Sequence, residues 1–349
     1  MFAFLENRKD IYFYIILILG LVFLFLVKSI LSPFIASLII AFLFKNLVKK
    51  LEKLGVNRGL GSLFCVIVGT LLIVLTMLFV IPLIFTQGVS LIKELINYFN
   101  TIDINKLLSK IDNIDFIKNN IDIENNINLI YQHGVKYLGN ISNFLISKSL
   151  HIVSFTFGLF VIPIITFYFL KDWNKMFTSV KEILPQKQKS AIIELSKKIN
   201  DVLEGYLVGQ FLVCLMLGSY YSILLYIFGL KYGLLIGILS GFLTIIPYFG
   251  SFIGCAITVI VSIFQNNGID ITHIITVLSV FASGQFIEGN FITPKLIGDK
   301  VNLHPIWIIF ALFAGGCLAS TVGMFFALPV AGIVGTTIRF FLEDNENNN

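Results

Sequence analysis
Long, uninterrupted apolar runs decide what this chain can fold into. They fall at about 11–28, 30–48, 60–85, 149–170, 206–228, 231–247, 252–266, 271–288, 305–319 and 322–341. A helix needs roughly 17–25 apolar residues to cross a bilayer, and most of these runs reach that length. The 349 residues are 57% hydrophobic and only 13% charged, whereas a soluble domain is about 45–50% apolar and roughly 25% charged. So little polar surface cannot cover a water-facing globule, which excludes a cytoplasmic enzyme, a disordered chain and a nucleic-acid module. The runs do not alternate every second residue, so they do not read as strands of an outer-membrane barrel. The expected fold class is all-α: a polytopic α-helical membrane protein with about eight hydrophobic spans. Runs 252–266 and 305–319 are short for full crossings and read as halves of re-entrant hairpins with tips inside protein or a wet cavity.

Charge orients the chain. Arg8 and Lys9 precede the first run with no small-residue cleavage site after it, so that helix is expected to be retained. Lys45, Lys49, Lys50, Lys53 and Arg58 make one basic stretch, and 171–204 is a second, amphipathic one with Ile183, Leu184, Ile192, Ile193 and Leu195 at helical spacing. Both read as cytoplasmic by the positive-inside rule, which places both termini inside. The expected organisation is 1–86 as N-terminal membrane helices with a basic loop, and 87–148 as a small extracytoplasmic domain of amphipathic helices. A membrane core at 149–341, including a cytoplasmic amphipathic helix at 171–204, and an acidic, Asn-rich tail at 342–349 complete it.

Enzymatic signatures are absent from the sequence. It has no G-x-x-x-x-G-K-[ST] for ATP, no H-E-x-x-H and no G-x-S-x-G. Cys65, Cys214, Cys255 and Cys317 are scattered singly in apolar runs, and His133, His151, His273 and His304 form no ligand spacing. No metal, cofactor or nucleic-acid partner is expected; the expected partners are the lipid bilayer and a small polar solute.

Three patterns are candidates for function. Gly229, Gly233, Gly237 and Gly241 step by four, flanked by Gly205 and Gly209 upstream and Gly250 and Gly254 downstream. Such faces let helix backbones approach closely in lipid, and they serve either as fixed packing or as a sliding surface. A similar small-residue series from Ala311 to Gly335 is expected to be interrupted by a turn between Gly315 and Gly323. In the second pattern, Pro247, Tyr248 and Gly250 break an apolar stretch, as in a discontinuous helix of a binding site or a plain loop between spans. The third is the cluster from Gln285 through Glu288 and Asn290 to Pro294, Lys295 and Gly298, followed by His304 and Pro305. An ionisable residue near the bilayer centre costs about 2.5–3.5 kcal/mol on insertion scales and normally faces a cavity or a partner. Glu288 therefore reads as part of a solute or ion pathway, or as an interfacial helix end paired with Lys295. Gln210, within another apolar run, is a second pathway candidate.

Specific segments are similar to the autoinducer-2 exporter family along nearly the whole chain. They are SPFIASLIIAFLFKNLVKKLEKLGVNRG (32–59), VIPIITFYFLKDW (161–173), GYLVGQ (205–210), GLKYGLLIGILSGFLTIIPYFGSFIG (229–254), EGNFITPKLIGDKVNLHPIWIIFALFAGG (288–316) and GMFFALPVAG (323–332). Pro294, Gly298, His304 and Pro305 together make the specific signature, while 87–148 shows no such match. The resemblance implies an uncharged or weakly polar solute moved outward without ATP. It also implies homo-oligomers, pentamers in this family, with re-entrant hairpins and an elevator-like movement in the bacterial inner membrane.

The leading expectation is a secondary exporter of a small polar molecule, with broken helices and intramembrane Gln210, Gln285 and Glu288 serving alternating access. A cation–proton antiporter, with H⁺ or Na⁺ on Glu288, is the alternative. A non-transporting envelope scaffold with 87–148 as its partner surface is the third reading.

Overall fold
A computed structural model describes residues 31–101, 152–184, 189–266, 270–297 and 303–347, with a few isolated positions elsewhere. The first apolar run and most of the expected external domain lie outside the described residues. All described elements are helical. They are α1 (Leu31–Lys53), α2 (Arg58–Leu83), α3 (Val89–Thr101), α4 (Ile152–Ile183), α5 (Lys189–Ile227) and α6 (Gly233–Leu243). Then follow α7 (Phe249–Gln265), α8 (Ile271–Ile287), α9 (Thr293–Leu296) and α10 (Pro305–Asn347). Among the described residues, five stretches are long and apolar enough to span a bilayer: Leu31–Lys53, Arg58–Asn97, Lys189–Ile227, Ile271–Leu296 and Ile306–Leu342. The chain is a multi-pass α-helical membrane protein.

Helices α1, α2 and α4 form one group around Ala41, Val48, Cys65, Val66 and Leu170. Polar side chains stitch it together: Ser37 Oγ lies 3.0 Å from the Ile162 carbonyl and Arg58 Nε donates to the Leu170 carbonyl at 3.0 Å. Asn57 caps α2 by accepting from the Gly59 amide. After Pro82, a π-helical turn at Ile84–Gly88 leads directly into α3, and the Thr86 hydroxyl satisfies the Pro82 carbonyl at 2.8 Å. The chain therefore runs as continuous helix across the expected boundary at 86/87.

A second group, α5 to α9, surrounds Val213, Leu217, Tyr221, Leu225, Val277 and Phe281. Helix α6 lies along α5 because its glycines admit backbone against backbone. A Cβ on Gly237 would strike Ser222, one on Gly241 would strike Gly218, and one on Gly233 would meet the Leu225 carbonyl oxygen at 2.9 Å. Gly229 plays a different part from the other members of its series. It sits in the α5–α6 turn with φ +71 and open space beside it, so it serves chain reversal and the packing stripe begins at Gly233.

The amphipathic stretch 171–204 is likewise no separate helix. Residues 171–183 continue α4, and 189–204 begin α5, whose apolar part follows without a break. The i,i+3 pair Asp172–Lys175 and the i,i+4 pair Glu194–Lys198 favour extending both helices past the apolar runs.

Helix α10 reverses at Ala319 (φ −145) and Ser320 (φ 52), giving a hairpin of 305–318 and 321–347. Gly315 and Gly323 face each other across it, each too close to the other's carbonyl group to accept a side chain. That is the turn expected between Gly315 and Gly323. The hairpin packs on α5 through Tyr206 and Leu328.

Candidate functional site
The break at Thr244–Tyr248 turns α6 and α7 into a second hairpin. Its two ends are tied by Gln265, whose Nε2 donates to the Gly229 carbonyl at 2.8 Å and whose Oε1 accepts from the Lys231 amide at 2.7 Å. Its tip is forced by Pro247 and by Tyr248, which takes a left-handed φ of 65 ahead of α7. Gly250 opens α7 against the Ser240 carbonyl and Thr244, and Gly254 lies against Ser240, so the hairpin closes with no room for side chains between its arms.

Polar groups converge on that tip from two other helices. Gln210 on α5 is 5% exposed and donates from Nε2 to the Thr244 carbonyl at 2.6 Å. It thereby satisfies a carbonyl at the helix break, the kind of group an irregular backbone within a membrane must pair. One residue along α5, Gly209 abuts the Leu296 carbonyl and Ile297, which seats α9 beside the same tip. From the hairpin, Ser251 Oγ donates to Gln285 Oε1 on α8 at 2.6 Å. Gln285 Nε2 donates in turn to Glu288 Oε2 at 3.2 Å. Ser251, Gln285 and Glu288 thus form one chain across α7 and α8, next to the Gln210–Thr244 contact.

Glu288 is 6% exposed and begins a π-helical turn, Glu288–Ile292, that ends α8. Such turns widen a helix locally and often mark functional sites. No lysine or arginine forms an ion pair with Glu288 among the described residues, and Lys295 is exposed. The arrangement can accept hydrogen bonds and positive charge at Glu288 and can both donate and accept at the Gln285 amide. Among the described residues no cluster of His, Cys, Asp or Glu could hold a metal ion.

Asn290 of the polar cluster and the signature residues lie apart from this chain of bonds. Asn290 is exposed and donates to the Phe286 carbonyl of its own helix at 2.9 Å. Pro294 sits in the first turn of α9. Exposed His304 accepts from the Ile306 amide at 3.3 Å, and Pro305 is the first residue of α10. Those two residues start a helix, while Gly298 lies outside the described residues. Ser251 is the member that sequence reasoning passed over; a hydroxyl in the first turn after a Pro–Tyr–Phe–Gly break is its only local signal.

The comparisons bear on the whole chain. Residues 11–343 match the profile described as AI-2E family transporter. YueF of Bacillus subtilis, named as a candidate transport protein, is 30% identical over 318 residues, covering 89% of this chain and 84% of its own length. PerM of Escherichia coli, named as a candidate permease, is 26% identical over 328 residues, covering 93% of this chain and 91% of PerM. YrrI of Bacillus subtilis, also named for transport, is 35% identical over 181 residues, a match spanning 52% of this chain and 50% of YrrI. On a family match that runs nearly end to end, the chain belongs to the AI-2E family of membrane transporters.

Proposed function
We propose that this protein is a secondary transporter of the bacterial inner membrane that exports a small polar solute, with Gln210, Ser251, Gln285 and Glu288 as the groups that meet it. The observation that carries this reading is the convergence of those four side chains on a broken-helix tip inside a largely apolar bundle. Discontinuous helices of this kind are where secondary transporters place their sites. Helix α6, with 11 residues, rises about 16 Å, roughly half a hydrocarbon core, so the α6–α7 hairpin suits a re-entrant element better than two crossings. The basic stretches favour cytoplasmic termini. An elevator-like movement within a homo-oligomer, a pentamer by family resemblance, completes the reading.

The solute is sought by comparing metabolites in the medium of cells with and without the protein, and its flux is then measured in proteoliposomes. Glu288→Gln lowers that flux at least tenfold while the oligomer elutes unchanged from size exclusion. Wild-type flux in this variant removes Glu288 from the pathway.

Cation–proton antiport is the second reading, favoured by one observation: a buried carboxylate with an amide neighbour and no ion-pair partner among the described residues. It requires Na⁺-dependent pH changes in inverted vesicles, and a flat dye trace from correctly oriented protein eliminates it.

A further inference from the structure
Tyr221 is completely buried on α5, and its hydroxyl has no hydrogen-bond partner among the described residues. The neighbouring Tyr220 makes the contrast plain, because its hydroxyl pairs with Ser283 at 2.8 Å. The Tyr221 ring stacks on Phe281, with centroids 4.6 Å apart, and a phenylalanine would keep that stacking. A buried hydroxyl with no partner costs free energy, and an unseen polar group is the ordinary explanation for one.

The position of this hydroxyl is informative. A Cβ built on Gly284 would lie 2.7 Å from Tyr221 Oη, so the phenol rests against the α8 backbone at Gly284. Glu288 is four residues further along α8, on the same face. Side chains on a helix lean toward its N-terminus, so the Glu288 carboxylate reaches back toward the turn that Tyr221 touches. The Gln285–Glu288 bond at 3.2 Å shows the carboxylate drawn in that direction. The two groups do not bond directly, because Tyr221 Oη has no partner among the described residues.

We propose that Tyr221 Oη and Glu288 together bind one small neutral polar group between α5 and α8: a water molecule in the empty protein and a hydroxyl of the solute in the loaded one. A hydroxyl or water fits because one oxygen accepts from the phenol and donates to the carboxylate. A carboxylate cannot take that place, having no proton to donate, and any anion there would meet the like charge of Glu288. Glycine at 284 is the third part of this arrangement, since any side chain there would displace the phenol. The inference rests on the transport reading for the solute but not for the water.

Two measurements test it. A cryo-electron microscopy map resolving ordered water is expected to show one non-protein density within hydrogen-bond distance of both Tyr221 Oη and Glu288, and to lose it in Tyr221→Phe. In proteoliposomes, Tyr221→Phe is expected to raise the half-saturation concentration of the exported solute about three- to tenfold, as loss of one neutral hydrogen bond does, with maximal flux little changed. An empty gap in the wild-type map, or Tyr221 Oη bonded directly to protein, overturns the proposal. So does a Tyr221→Phe protein with unaltered half-saturation and a raised melting temperature, the mark of a hydroxyl that was merely unsatisfied. Failure of the wild type to move any solute defeats the transport reading and the loaded state with it, while the density between Tyr221 and Glu288 judges the water site independently.

Discussion
The glycine contact between α5 and α6 is asymmetric, and that asymmetry yields a graded prediction. A methyl on Gly241 would run into the Gly218 backbone and lie 2.9 Å from the Cys214 carbonyl oxygen, whereas a methyl on Gly218 would sit 3.3 Å from the Gly241 Cα. Carbon atoms settle at about 3.5–4.0 Å, so Gly218→Ala needs a few tenths of an ångström and Gly241→Ala needs about 1.5 Å of helix separation. Overpacking of the second kind costs about 1–3 kcal/mol, and its upper end applies because backbone cannot rotate aside. Alanine recovers about 0.8–1 kcal/mol of helix propensity at either site. Gly218→Ala therefore comes out near neutral, and Gly241→Ala loses about 2 kcal/mol. The second variant also disturbs the candidate site. Thr244 follows three residues later, and moving its carbonyl by even about 1 Å from Gln210 stretches a 2.6 Å bond to about 3.6 Å, beyond hydrogen-bond length. Heating detergent-solubilised protein and measuring the surviving oligomer by fluorescence-detected size exclusion reads the order directly. The reasoning is refuted if Gly241→Ala melts at or above wild type, or if Gly218→Ala melts below it.

Four further outcomes follow from particular contacts. Lys45, whose side chain is 8% exposed, joins α1 to α5 through Glu204 at 2.7 Å and Asn200 at 3.0 Å, with its Nζ 4.9 Å from the Trp173 ring centroid. Lys45→Met leaves the Glu204 carboxylate, 15% exposed, without its lysine and is expected to cost about 3 kcal/mol, most of which Lys45→Met/Glu204→Leu recovers in the same melting assay. Gly229→Ala places a Cβ at φ +71 and is expected to destabilise by about 1–2 kcal/mol without altering solute half-saturation, since the residue lies in a turn away from the site. Ser251→Ala removes the donor to Gln285 and is expected to lower flux several-fold in proteoliposomes with little change in melting. The Glu94 carboxylate, hydrogen-bonded to Lys231 at 2.6 Å, holds that ammonium above the ordinary lysine range. A raised lysine value means that the pair's contribution is complete at neutral pH and is lost as pH climbs through the raised value. Hydrogen exchange across α3, corrected for its intrinsic pH dependence, should therefore rise in strongly alkaline buffer in the wild type and already at neutral pH in Lys231→Gln.

Adjacency in sequence proved a poor guide to membership of the site. Gln285 and Glu288 are legible as a pair because three residues along a helix place them on one face. Asn290 looks equally well placed, yet the π-helical turn carries it outward to bond its own helix. Ser251 bears no pathway signature, and it meets Gln285 only because the α6–α7 hairpin folds its tip against α8. Gly229 shares the four-residue spacing of Gly233, Gly237 and Gly241, but spacing does not reveal that the helix starts after it.

The apolar runs alone determined that this chain is a multi-pass helical membrane protein, because transfer of side chains into lipid adds up along the sequence regardless of partners. Local chemistry in the sequence likewise marked the breaks at Pro247–Gly250 and between Gly315 and Gly323, since proline and crowded small residues act within a few positions. Only the tertiary structure decided which breaks become hairpins and which polar groups meet at their tips. It also decided that Lys45 finds Glu204 across 159 residues and that the Tyr221 hydroxyl is left in the core without a partner among the described residues. Those outcomes depend on the close approach of whole helices, and atoms far apart in sequence come within bonding distance only after the backbones have packed.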